Sequence, residues 1–299
     1  MKSVLLVIAT LAVVSAEWIE VDWTQVKPIE EFDHYWARIP QEWQFLRKLT
    51  PSRRITNGQE ASRGQFPYYV VVLSDFAAGT GLCGATVLTT NYILTAAHCV
   101  HNAQGGLVIV GAHDRTAEET HSQQRILFEA SGIKIHDGYA PTSVRNDVAV
   151  VRLFNSITYS NWVTVVRIPN SADSRHFAGL TGTVSGFGRT SDSSMAEAAV
   201  IRFASNPILT EADCLSQWGN DVNLIQSQQI CLSGEGGRSP CNGDSGGPLT
   251  VSEGPGLKLQ VGIVSFGSAA GCSIGMPSVY ARVTHFRQWI VDNSDYPIN

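Results

Sequence analysis

No apolar run in this chain approaches the roughly 18 residues that a membrane-spanning helix needs. Lysine and arginine form no cluster, and the 21 of them are outnumbered by 26 acidic residues, for a formal net charge of −5. Nucleic acid is therefore a poor partner, since its phosphates demand concentrated positive charge. None of the six cysteines forms a C-x₂-C pair, so a structural zinc site is not expected, and nothing implies a metal or other cofactor. Asn-x-Ser/Thr is absent, so N-glycosylation is not expected. No internal repeat stands out, and helical periodicity is almost confined to the two ends. What remains is an ordinary globular balance, 43% hydrophobic and 16% charged in 299 residues. That suffices for one large domain, or two smaller ones, with a real core.

Residues 1–16 read as a secretory signal peptide. Lys2 gives a short positive start, residues 4–14 are apolar, and Val14-Ser15-Ala16 ends in the small residue that cleavage requires. The mature protein is expected to be secreted and extracellular. Export puts Cys83, Cys99, Cys214, Cys231, Cys241 and Cys272 in an oxidising compartment. An even set there implies disulfides, whose pairing spacing alone leaves open.

Residues 17–54 differ in character from the rest of the chain. They open acidic and aromatic, with Glu17, Trp18, Glu20, Asp22 and Trp23, and then repeat Trp36, Ile39, Trp43 and Leu46 at roughly helical spacing. The segment ends in Lys48-Leu49-Thr50-Pro51-Ser52-Arg53-Arg54, a basic link of the kind that is exposed and cut. It is expected to form a short amphipathic helix docked on the main domain and to be removable. From residue 55 the pattern turns all-β. Short apolar, β-branched runs at 66–73, 85–88, 92–95, 107–110 and 148–153 are separated by Gly, Asn and Asp. After a polar link within about 165–180 the rhythm resumes at 183–185, 199–203, 257–264 and 279–283. Only the end looks helical, with Val283, Phe286, Trp289 and Ile290 on one face. Two sets of short strands suggest two β-barrels or sandwiches in series.

Chemistry concentrates in three stretches. Gly243-Asp244-Ser245-Gly246-Gly247 sets a hydroxyl among glycines that let backbone N–H groups approach its target. A serine needs a base oriented by a third group. Of the eight histidines, His98 alone follows a strand-like run, through Ala96 and Ala97, and precedes a cysteine. His34, His101, His113, His121, His136, His176 and His285 read as solvated. Asp147 enters the apolar run Val148-Ala149-Val150, where a carboxylate is costly unless paired. The loop 111–124, with Asp114, Glu118 and Glu119, reads as a solvated turn because it lacks the alternating ligands of a calcium loop. The serine also fits the G-x-S-x-G elbow of α/β-hydrolases. That elbow leads into a helix, which Gly246-Gly247-Pro248 opposes, and no βαβ rhythm is present.

Thr95-Ala96-Ala97-His98-Cys99, Asn146-Asp147-Val148-Ala149-Val150-Val151 and Gly243-Asp244-Ser245-Gly246-Gly247-Pro248, in that order, resemble the chymotrypsin-like serine proteases over about residues 55–291. The resemblance implies an all-β fold of two six-stranded antiparallel β-barrels with a C-terminal α-helix, making up a protease domain over 55–299. It also implies a triad: Ser245 attacks the scissile carbonyl, His98 shuttles its proton, and Asp147 orients the imidazole. Gly243 and Ser245 supply the oxyanion hole. The implied disulfides are Cys83–Cys99, Cys214–Cys231 and Cys241–Cys272, a sparse set similar to that of arthropod digestive enzymes.

Arg54-Ile55-Thr56-Asn57-Gly58 resembles the family's activation junction, with Thr56-Asn57 as a departure. Cutting after Arg54 would free the Ile55 amine to pair with Asp244. By the same resemblance the substrate pocket has Ser239 at its base, Gly267 and Ser278 on its walls, and the Ser265 to Gly267 backbone as a strand for extended substrate. Without an acid at Ser239 a cationic side chain is disfavoured. Cleavage after Phe, Tyr, Leu or Met is expected, with elastase-like or broad cleavage as the alternative. A separate trypsin-like protease is then needed to cut at Arg54. The expected partners are polypeptide substrates, that activator and protein inhibitors of proteases, with no nucleic acid, no membrane and a monomeric state. A digestive role is favoured over a regulatory cascade, because residues 17–54 carry no cysteine-rich module. A non-catalytic homologue would have lost a triad residue, and all three are present.

Overall fold

The computed structural model describes residues 18–39, 58–189 and 196–298. The expected signal peptide, the expected activation junction at Arg54 and Ile55, and residues 40–57 generally lie outside the described residues.

Two antiparallel sheets make up most of the protein. The first holds β3 (Tyr69–Phe76), β4 (Gly79–Val87), β5 (Tyr92–Thr95), β6 (Gly105–Val110), β7 (Gln124–Glu129), β8 (Ile133–Ile135) and β9 (Ala149–Arg152), in the order β7-β6-β3-β4-β5-β9-β8. Its two end strands are consecutive in the chain, joined by the single turn Ala130–Gly132. Counted as one broken strand they close a six-stranded barrel. The second sheet holds β10 (Thr181–Gly186), β11 (Arg202–Pro207), β12 (Gln229–Leu232), β13 (Pro248–Gly254), β14 (Leu257–Phe266) and β15 (Ser278–Arg282). A bridge between Ile208 and Leu232 closes this set of six, and β2 (Gln59–Glu60) adds a short edge to β11. The expected pair of six-stranded barrels is what forms.

The apolar runs explain the inner faces. Val70, Val72, Ala85, Val87, Ile93, Val108, Val110, Val148 and Val150 fill the first barrel, while Val184, Ile230, Leu249, Val251, Leu259, Val261 and Tyr280 fill the second. Strand β7 alternates as a half-buried strand should, with Ile126 and Phe128 inward and Leu127 and Glu129 outward. The terminal helix, here α4 (Val283–Asp292), buries Val283, Phe286 and Ile290 in the first barrel's core, so the chain ends by returning across the seam.

Some local expectations need correction. A helix α3 (Glu211–Gln217) interrupts the second set of strands, capped by the Thr210 side chain accepting from the Asp213 N–H at 3.0 Å. Loop 111–124 is not a freely solvated turn. The Glu119 carboxylate accepts from the backbone N–H of His113 at 2.7 Å and of Asp114 at 3.2 Å, and from Gln123. It braces the loop from within. Nor is His136 a free surface ring, since it packs on Phe286 and Trp289.

Residues 18–39, in the stretch expected to be removable, add structure of their own. Strand β1 (Val26–Pro28) pairs parallel with β4, matching Val26 to Thr80 and Pro28 to Leu82. Helix α1 (Asp33–Ala37) comes next, five residues long. Ile29, Phe32 and Tyr35 join the first barrel's core, and Ile29 is fully buried. Gly81 makes room for this, because a Cβ there would sit 2.9 Å from Ile29 Cδ1 and 2.9 Å from the Phe76 ring.

Candidate active site

The seam between the barrels brings the three stretches together. His98 lies in the short helix α2 (Ala97–Val100), directly after β5, and Asp147 stands just before β9. Those two strands are hydrogen-bonded neighbours, so pairing Thr95 with Ala149 sets the imidazole beside the carboxylate. His98 Nδ1 is 2.8 Å from Asp147 Oδ2, and the His98 backbone N–H donates to Asp147 Oδ1 at 3.0 Å. The Ser265 hydroxyl adds a third bond to this carboxylate at 2.6 Å.

Ser245 approaches from the second barrel, just before β13. Its carbonyl accepts from the Gly84 N–H at 2.7 Å, which ties it to β4 across the seam. Gly246 has φ +80°, and a Cβ there would meet Thr95 Oγ1 at 2.3 Å and the Gly84 carbonyl at 2.4 Å. Only glycine turns the chain this close to the first barrel. Cys83–Cys99 and Cys241–Cys272 are both formed and flank the site on its two sides, and Cys214–Cys231 ties α3 to β12. The cluster of Cys83, Cys99 and His98 resembles a metal site, but both sulfurs are committed to the disulfide.

The cleft is filled by residues of the chain's own N-terminal segment, which the sequence alone does not foretell. The Glu30 side chain enters between Ser245 and Gly243. The Ser245 hydroxyl donates to Glu30 Oε1 at 2.6 Å and the Gly243 N–H donates to Oε2 at 2.9 Å. Arg38 enters the next part of the cleft. It donates to Asp147 Oδ2 at 2.8 Å and to the Ser265 carbonyl, and its guanidinium lies over the Tyr35 ring at 4.3 Å. Tyr35 meets His98 edge-on with ring centroids 5.4 Å apart, and His34 Nε2 reaches the His98 carbonyl at 3.2 Å. His34 is therefore a packed residue rather than a solvated one. Under this cover Ser245 is 3% exposed and His98 is fully buried.

Burial shapes the electrostatics. It opposes ionisation of Asp147, but His98, Arg38 and Ser265 outweigh it and hold that carboxyl well below its ordinary range. Burial and the Arg38 charge together push His98 down to about 4, although Asp147 pulls the other way. Glu30 is pushed up by burial despite its bonds to Ser245 and Gly243. Asp244 is pushed up to about 8, chiefly by burial. Its oxygens accept only backbone N–H groups among the described residues, from Gly188 at 2.8 Å and Cys241 at 2.9 Å.

What stays open of the cleft is a cavity of about 70 Å³. Ligand pockets typically run to roughly 300–1,000 Å³, so the space left beside the segment is too small for a substrate side chain with its backbone. Cys241, Val264, Phe266, Gly267 and Cys272 line the cavity together with Glu30, Trp36 and Ile39. Ser239 and Ser278 do not line it. Ser239 is buried and donates to the Pro240 carbonyl at 3.2 Å, and the Ser278 hydroxyl is 3.0 Å from that of Tyr280. Gly267 does border the cavity, and a Cβ there would meet nothing within 4 Å.

A serine hydroxyl, an imidazole and a buried carboxylate at the seam of two antiparallel barrels are the equipment of a serine hydrolase. The profile described as "Trypsin" matches residues 55–290. A chymotrypsin of Phaedon cochleariae is 34% identical over 251 residues, covering 83% of this chain and 85% of that protein. A brachyurin of Leptuca pugilator is 33% identical over 236 residues, covering 79% of this chain and 96% of its own. The solved structure of HL collagenase superposes with a TM-score of 0.72 at 30% identity, covering 81% of this chain and 99% of that one. The chain belongs to the trypsin family of serine proteases.

Proposed function

We propose that the protein is a secreted serine endopeptidase made as an inactive precursor, with Ser245 as nucleophile, His98 as general base and acid, and Asp147 orienting the imidazole. The observation that carries this reading is the convergence of the Ser245 hydroxyl and the Gly243 N–H on one anionic group, Glu30, in a segment whose Tyr35 ring also covers the His98–Asp147 pair. Donors that hold a carboxylate there would hold the oxyanion of a tetrahedral intermediate equally well.

Cutting after Arg54 releases the Ile55 amine, which pairs with Asp244 and remodels the 239–245 loop. A buried carboxyl pushed up to about 8 and held only by backbone donors among the described residues is suited to await a cation. The pocket then opens over Ser239, between Gly267 and Ser278, and accepts a large apolar side chain. The part of the substrate that precedes the scissile bond pairs along residues 265–267. The enzyme acts on dietary or other extracellular polypeptides as a monomer, and protein inhibitors of proteases bind the same cleft. The lack of a cysteine-rich module in residues 17–54 favours a digestive role over a regulatory one.

A fluorophosphonate probe tests the chemistry, since it must label Ser245 in the activated protein and not in Ser245→Ala. Profiling on a peptide library tests the pocket, where dominant cleavage after Lys or Arg would overturn it. Arg54 cannot then be the enzyme's own target. Rapid cutting of Ser245→Ala precursor by active mature enzyme would show that no separate activator is required.

A further inference from the structure

We propose that residues 18–39 are a detachable inhibitor of the cleft, which stays seated after the bond following Arg54 is cut and must leave in a separate step. This rests on the proteolytic reading above and goes beyond it. In that reading the first cut alone switches the enzyme on.

The occupant offers nothing to cleave. At Gly243 and Ser245 the cleft holds a side-chain carboxylate, not a main-chain carbonyl. A carboxylate carbon already shares negative charge with both its oxygens and resists attack by an alkoxide. The Ser245 hydroxyl also donates to the Glu30 carboxylate, a much weaker base than the imidazole that the reaction needs.

The direction of the chain is wrong for a substrate as well. The segment runs from β4 at Val26–Pro28, through Glu30 at the serine, to Arg38 at the Ser265 carbonyl. A substrate lays along residues 265–267 the part that precedes its scissile bond. Here that stretch meets the residues C-terminal to Glu30, so the segment crosses the cleft backwards.

Its anchors do not depend on the activation junction. They are the β1–β4 pairing, buried Ile29, the Arg38–Asp147 ion pair, Arg189 on Glu31, and the Trp23 and Trp18 rings under Arg115 and Arg125. All lie before residue 40, well upstream of Arg54. The cut therefore breaks none of them. With no cysteine in 17–54, retention is non-covalent and reversible.

The test starts from full precursor cut at Arg54 by added trypsin, followed in parallel by gel filtration and by fluorophosphonate labelling of Ser245. The fragment should co-elute with the protease domain, and labelling should lag behind cutting. Removing the fragment should speed labelling by about tenfold or more, and a synthetic 18–39 peptide should restore the lag. Glu30→Ala or Arg38→Ala peptides should need roughly 30-fold more to do so, because each leaves a buried partner unpaired. Labelling that keeps pace with the cut, with the fragment eluting apart, overturns the proposal. If no form labels, even free of fragment, it is the proteolytic reading that fails. Docking is then judged by elution alone: co-elution that Arg38→Ala abolishes supports it, and separate elution of wild-type fragment overturns it.

Discussion

Arg38 and His98 share one oxygen: each sets a nitrogen 2.8 Å from Asp147 Oδ2, one from the N-terminal segment and one from the first barrel. The acid that should orient the imidazole is thus also the anchor of the segment that covers it. A positive charge standing this close to a buried imidazole opposes its protonation.

His98 should therefore titrate differently with and without the segment. In the precursor its pKa is pushed down to about 4, so it stays neutral through mildly acid pH. A histidine lowered on folding contributes stability that is present above its unfolded value, near 6.5, and lost as pH falls through about 4. NMR titration of the His98 ring in Ser245→Ala precursor should give this low midpoint. The midpoint should rise once the segment is removed, and an unchanged value would show that Arg38 and the cover do not set it.

Arg38→Met keeps most of the side-chain volume and removes the charge. Breaking a buried ion pair usually costs about 3–5 kcal/mol, because it strands the partner. Asp147 keeps its bonds from the His98 ring and backbone and from Ser265, so the loss here should be smaller, about 1–3 kcal/mol. Urea denaturation of the precursor measures it. A stability equal to wild type would mean that Arg38 gains nothing from its place in the cleft.

Asp244→Asn separates folding from activation. A carboxyl raised to about 8 by burial contributes stability that is full below its unfolded value and is lost as pH rises through about 8. The Asn precursor should therefore fold, with a flatter stability profile between those limits. After the cut at Arg54 it should label with fluorophosphonate roughly 100-fold or more slower than wild type, since no ion pair can form with Ile55. Equal slopes and equal labelling would remove Asp244 from both roles.

Gly267→Val probes the pocket wall. A Cβ at this position meets no atom within 4 Å, so the fold should tolerate the change. The added methyls project toward the cavity. They should lower kcat/KM for Phe and Tyr substrates by about 10–200-fold while sparing Ala substrates. A uniform loss across all side chains would point to general damage instead.

Much of the scaffold could be read in advance because apolar runs such as 92–95 and 148–153 need no tertiary information to mark them as buried strands. Strand β7 escaped notice because its ends are polar and its outward Leu127 blurs the alternation. Helix α3 was signalled by Thr210 three residues before Asp213, a cap that its short length concealed. Glu30 gave no such signal. One carboxylate beside an isoleucine in an acidic segment looks solvated, and its meaning comes only from a serine 215 positions later. Arg38 was hidden for the same reason, since an isolated arginine near a helix end is ordinarily on the surface.

Gly81 fits Ile29 as a socket fits a peg, with space that exists only because the glycine carries no side chain. The socket belongs to the first barrel, and the peg to the segment proposed to be discarded. A larger residue at position 81 would press on Ile29 and equally on the Phe76 ring of the barrel, loosening the segment's hold while straining β3 and β4. On the proposal above, variation there would help set how long the protease stays silent after its first cut.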